Sequence, residues 1–154
     1  MRPIGHKDVR EAREYSTIPL DDRLTEAWEQ YRLRDGGGYE MRLSYQERFS
    51  TLRDIRPSIK ELHAFILRTY DTLAVEDRRL LGRFITAGYQ CVPEQEIVYD
   101  LETPYLHMLG SYLHGKRLVI DGVVGDGVGS DMAGELVING TAGGCAGDMM
   151  IGTF

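Results

Sequence analysis

Past Arg117 this chain has no lysine and no arginine, although it runs on to residue 154. That stretch holds Asp121, Asp126, Asp131, Glu135 and Asp148, so it carries −5 of a chain total of −6 and the rest is nearly neutral. A surface of that sign repels a phosphate backbone, which disfavours nucleic acid as a partner. Long apolar runs are missing as well. No segment approaches the roughly 18–20 residues that span a bilayer, and Met1-Arg2-Pro3-Ile4-Gly5-His6 lacks the apolar stretch of a signal peptide. A cytoplasmic location with no membrane partner is the expectation. Cys91 and Cys145 stand alone, with neither C-x-x-C spacing nor a framework of four. Reduced, partly buried thiols are expected of them, not a disulfide or a zinc site.

What is present is an ordinary share of apolar and charged residues, 42% and 27% of 154, enough for one domain or two small modules. Glycine is the exception. Of 18 glycines, 12 fall between Gly110 and Gly152.

The first half reads as helical. Leu20, Leu24, Trp28 and Tyr31 recur at spacings of four, four and three, one face of a helix over residues 21–34 that Gly36-Gly37-Gly38 ends. Ser44 with Glu47, and again Ser58 with Glu61, form capping-box patterns. The first opens a short helix with Phe49 and Leu52 on its buried face, closed by Pro57. The second opens a stripe of Leu62, Phe65, Ile66, Tyr70 and Leu73. A last segment, 75–86, presents Leu80, Leu81, Phe84 and Ile85, with Gly88 placed to stop it. Helices this short need a partner surface, so a small bundle is expected over residues 1–95. Arg78, Arg79 and Arg83 read as a solvated face in preference to an anion patch.

From Leu118 the chain reads LVIDGVVGDGVGSDMAGE and from Leu136 LVINGTAGGCAGDMMIGT, a repeat of 18 residues. Gly122 matches Gly140, Gly125 matches Gly143, Gly129 matches Gly147, Met132 matches Met150 and Gly134 matches Gly152. A three-residue Leu-Val-Ile run suits a short strand, and glycines at fixed offsets serve corners by left-handed φ or close backbone approach. Stacking that unit gives a β-solenoid. Gly110-Ser111-Tyr112-Leu113-His114-Gly115 fits the pattern of 129–134 and 147–152, so Ile97-Val98-Tyr99-Asp100 can head an imperfect first coil. Thr103-Pro104 with Tyr105, Leu109 and Tyr112 can instead open a helix capped by Gly115.

The repeat also disposes of motifs that glycine imitates. Residues 110–116 have P-loop spacing, but Arg117 stands where a Ser or Thr should bind magnesium, and a strand follows. Gly125, Gly127 and Gly129 fall short of the dinucleotide fingerprint. Asp121, Asp126 and Asp131 lack the order of a calcium loop. Asp100, Glu102, His107 and His114 form no tight ligand spacing. No catalytic, metal or cofactor residue is assigned, and a pocket for a small molecule would need Tyr99, His107, His114 and Arg117 to meet between the halves.

The pattern L-V-I-x-G-x-x-G-D-x-x-G-x-x-M-x-G resembles the GXGXG β-helix domain at the carboxyl end of the glutamate synthase large subunit, and the related β-helix subunit of formylmethanofuran dehydrogenase, over residues 96–154. The resemblance implies a right-handed β-helix that braces catalytic domains or subunits and has no catalytic residues of its own. This chain departs from those domains by having fewer coils.

The expected fold is therefore α+β, a helical bundle (1–95) followed by a right-handed solenoid of two to three coils (96–154). Its corners are Gly122, Gly125, Gly129, Gly134, Gly140, Gly143, Gly147 and Gly152. The helices can cap the upstream end. Ile151, Thr153 and Phe154 look like the start of a strand seeking a partner, so the chain is expected to be a non-catalytic assembly module. The docking residues expected are Met132, Leu136, Ile138, Met149, Met150, Ile151 and Phe154. They would take a second copy in a homo-oligomer or a larger enzyme subunit, the latter making the chain an accessory to a glutamate-synthase-like or formylmethanofuran-dehydrogenase-like enzyme.

Overall fold

The computed structural model describes residues 18–34, 52–102 and 105–153. The Ser44/Glu47 pattern, Phe49 and Gly36-Gly37-Gly38 lie outside them. Helix α1 (Asp22–Arg34) starts where the Asp21 carboxylate accepts the Arg23 backbone N–H at 2.9 Å, and it buries the expected Leu24, Trp28 and Tyr31. Helix α2 (Ile59–Thr69) has the full capping box: Ser58 Oγ accepts the Glu61 N–H at 3.1 Å and the Glu61 carboxylate accepts the Ser58 N–H at 3.3 Å. Such a cap contributes about 1 kcal/mol. A 3₁₀ turn (Tyr70–Thr72) leads to helix α3 (Val75–Cys91).

Gly88 does not stop α3, which runs on through it to Cys91. A Cβ there would meet the Leu62 side chain at 2.7 Å, so this glycine serves the close packing of α3 on α2. Trp28, Tyr31 and Phe65 surround Phe84, with ring centroids 5.3–5.9 Å from it, and tie the three helices together.

The second half is a β-solenoid of roughly three turns, and with the helical first half the chain is α+β. Strands β1 (Glu96–Tyr99), β2 (His114–Ile120), β3 (Ala133–Ile138) and β4 (Ile151–Thr153) stack in chain order, every neighbour parallel. Ile97 pairs with Leu118 and Leu118 with Leu136, while Tyr99, Ile120 and Ile138 stack in the same way. Residues 96–113 therefore form a first coil. The alternative helix cannot form, because Met108, Gly110 and Tyr112 have φ of 62°, 80° and 64°, opposite in sign to a right-handed helix.

The first coil is longer than the repeat at one place. From Tyr99 to its partner Ile120 is 21 residues, but Leu106 bridges Val124, 18 residues on, so the three surplus residues lie between the buried Leu101 and Leu106. The inward stacks also taper along the axis. Leu106 is followed by Val124 and then Ala142, and Leu109 by Val128 and then Ala146, whereas Leu113, Met132 and Met150 keep their size. The core is widest against the helices and shallowest at the far end.

Candidate functional site

The two ends of the solenoid differ. At the upstream end α3 lies along the first coil and bonds to backbone groups there and at the start of β2. The Gly110 N–H donates to Thr86 Oγ1 at 2.8 Å, and the Gln90 side-chain amide pairs with His114 twice, accepting its N–H at 3.0 Å and donating to its carbonyl at 2.9 Å. Gly82 makes the approach possible, since a Cβ there would overlap the His107 carbonyl. Lys116 adds a clamp. Two residues, Gly115 and Lys116, oppose one on β3, a bulge whose glycine has φ of 72°. The bulge turns the Lys116 side chain inward, where Nζ donates to the carbonyls of Val92 and Glu94 at 2.8 and 2.7 Å. Burial holds the pKa of this ammonium below the ordinary lysine value. Coil one is thus covered, with Ile97, Tyr99, Leu106 and Leu109 fully buried.

His63 of α2 completes the junction. It is buried, its Nε2 shares a hydrogen bond of 2.6 Å with the Tyr89 hydroxyl of α3, and its ring stands edge-on to Tyr89 and to Tyr99 of β1. Desolvation lowers its pKa to about 4, so the ring is neutral near pH 7.

At the downstream end, among the described residues, only the short β4 lies beyond β3. Met149 and Ile151 are 74% and 76% exposed. Ile138 and Met150 are half-buried, beside the half-buried Ala142 and Ala146. Met132 and Leu136 correct the expected docking set: both are fully buried, Met132 beneath Met150 and Leu136 stacked on Leu118. Phe154 lies outside the described residues.

The corner glycines divide by cause. Gly129 and Gly147 have left-handed φ of 70° each, and Gly152 has both a left-handed φ of 128° and a Cβ position that would strike the Gly134 carbonyl. Gly122, Gly140 and Gly134 sit where a Cβ would strike the backbone carbonyl of the preceding coil, Gly125 where it would strike the His107 ring and Gly143 where it would strike Asp126. Between the glycines, side chains continue the stacking. Asn139 Nδ2 donates to Asp121 Oδ1 at 2.9 Å, the Gly144 N–H to Asp126 Oδ1 at 2.8 Å, and the Asp126 N–H to His107 Nδ1 at 2.9 Å. On the outer face Arg117 bridges Glu96 at 3.4 Å and Glu135 at 3.1 Å.

Tyr99, His107, His114 and Arg117 are not brought together. Tyr99 is core, His107 faces Asp126, His114 is held by Gln90 and Arg117 sits in the outer ion ladder. Among the described residues no three His, Cys, Asp or Glu side chains converge as metal ligands, and no helix is long and apolar enough to cross a membrane. Arg78 of the arginine row stacks on the Tyr70 ring at 4.5 Å. A cleft of about 420 Å³ lies between Arg53, Gln90, Cys91 and His114. Burial there pushes the Cys91 thiol above its ordinary pKa, against the pull of Arg53 and Lys116, which keeps it a thiol and a poor nucleophile.

Sequence reasoning missed Gly82, Thr86, Gln90 and the Lys116 bulge. Gly82 carried the one signal available, a glycine inside an amphipathic helix. The other three act through backbone groups far along the chain, which no local pattern records. Comparison with protein-family models, with curated proteins and with solved structures returned no match, so the GXGXG resemblance rests on the repeat phasing alone.

Proposed function

We propose that this chain is a non-catalytic assembly module that docks through the downstream edge of its solenoid. The asymmetry of the two ends carries this reading: α3 covers the upstream coil, bonding its Gly110 N–H through Thr86 and leaving Ile97, Tyr99, Leu106 and Leu109 fully buried, while downstream Met149 and Ile151 are exposed beside β4, whose far edge has no strand partner among the described residues. An uncovered parallel rung accepts a further strand, because main-chain donors and acceptors supply the affinity and flanking apolar side chains the selectivity. The helices act as the fixed cap that lets so short a solenoid hold its shape.

The test is the apparent mass of the protein in native extract of cells that express it. The wild-type chain is expected to elute well above the mass of one copy, and Ile151→Lys to shift it to a single chain. Arg79→Glu, on the exposed face of α3, is the control and should leave the elution unchanged. Single-chain elution of the wild type would sink the docking reading.

A further inference from the structure

Coil three has shed the charges of coil two. Asp121 is stacked on Asn139, Asp126 on Gly144, Asp131 on Met149 and Glu135 on Thr153. Every acidic position of the second coil is uncharged in the third, and Asp148 is the sole charged side chain from Leu136 to Thr153. Solvent does not ask for this change. The Asp131 corner has φ of 55°, a conformation that aspartate tolerates better than most residues, and Met149 holds the same φ while its side chain is 74% exposed. An unbranched apolar residue at a left-handed corner, in place of the aspartate one coil earlier, suits a surface that is covered.

We propose that what covers it is a second copy of this chain, the two meeting coil three to coil three about a two-fold axis lying in the plane of the coil. The proposal rests on the docking reading above and names its partner. Head-to-tail stacking is blocked because the upstream face of a second copy is already occupied by its own α3, through Thr86 and Gln90. The face a second copy has left is the same downstream face, and that makes the contact isologous and closed at two. Charge points the same way: a rung left with one carboxylate offers little to a charged partner, yet meets its own image with little repulsion.

Light scattering on the purified full chain at micromolar concentration tests this, with Met149→Asp and Ile151→Lys beside the wild type. The wild type is expected at twice the mass of the chain. Met149→Asp places at this corner the residue already found at Asp131, so it should melt no lower than wild type under conditions that keep each chain single. In the dimer it buries a carboxylate, and the dissociation constant should rise at least about tenfold, with Ile151→Lys acting alike. A dimer indifferent to both substitutions, or a mass that climbs past two copies with concentration, overturns the proposal. A purified wild type that is a single chain also overturns it. If that chain still elutes above single-copy mass in extract, the docking reading stands without the second copy, and single-chain behaviour in both removes the two together.

Discussion

Acid should destabilise this protein in large part through His63. His63 is buried between α2, α3 and β1 with its ring against Tyr89 and Tyr99, and its pKa lies near 4, against about 6.5 in an unfolded chain. Between these values the unfolded state binds the proton and the folded state does not. Stability therefore rises with pH across the window, is complete above about pH 6.5, and is lost as the pH falls toward 4. A gap of roughly two and a half units at 1.36 kcal/mol each amounts to about 3 kcal/mol, and most of it is gone by pH 4.5. Out of the 5–15 kcal/mol typical of a domain, that is a large share. The assay is urea unfolding at pH 7 and pH 4.5, followed by fluorescence of Trp28, the only tryptophan and a core residue. The companion is His63→Gln, whose amide does not titrate but can still share a hydrogen bond with the Tyr89 hydroxyl. Carboxylates titrate in both proteins and cancel in the comparison, so the wild type should lose about 2–3 kcal/mol more than the variant on acidification. Equal losses would refute the argument that this buried ring sets the acid response.

Gly140→Ala and Gly144→Ala, four residues apart on one coil, should separate in thermal melts. The first drives a Cβ into the Gly122 carbonyl and costs about 1–3 kcal/mol, while the second meets only Asp126 Oδ1 at 3.9 Å and stays within about 0.5 kcal/mol. Gln90→Ala removes both bonds to His114 and should cost about 1–2 kcal/mol, with faster hydrogen exchange at the His114 amide as its local signature. Arg117→Ala, in an exposed ladder, should cost under about 1 kcal/mol, and less still in high salt.

Much of this molecule is local in origin. The apolar spacing of Leu24, Trp28 and Tyr31 and the Ser58/Glu61 box specify their helices, because a helix is built from contacts three and four residues apart. The 18-residue phase of Leu-Val-Ile and glycine specifies the coils, because each rung pairs in register with the one before it. Where local signals misled, tertiary packing was the cause. Gly88 reads as a helix stop by composition, yet the proximity of Leu62 turns it into a packing site within α3. Met132 and Leu136 read as docking residues by their place in the repeat, yet both are fully buried, Met132 because Met150 stacks on it. Coil one could not be told from a helix until its ladder to coil two fixed φ at Met108, Gly110 and Tyr112. The sequence by itself determined that there is a repeat and that helices precede it. Only the tertiary structure decided which end of that repeat is closed, because closure depends on α3 reaching across the fold to backbone groups some 24 residues further along the chain.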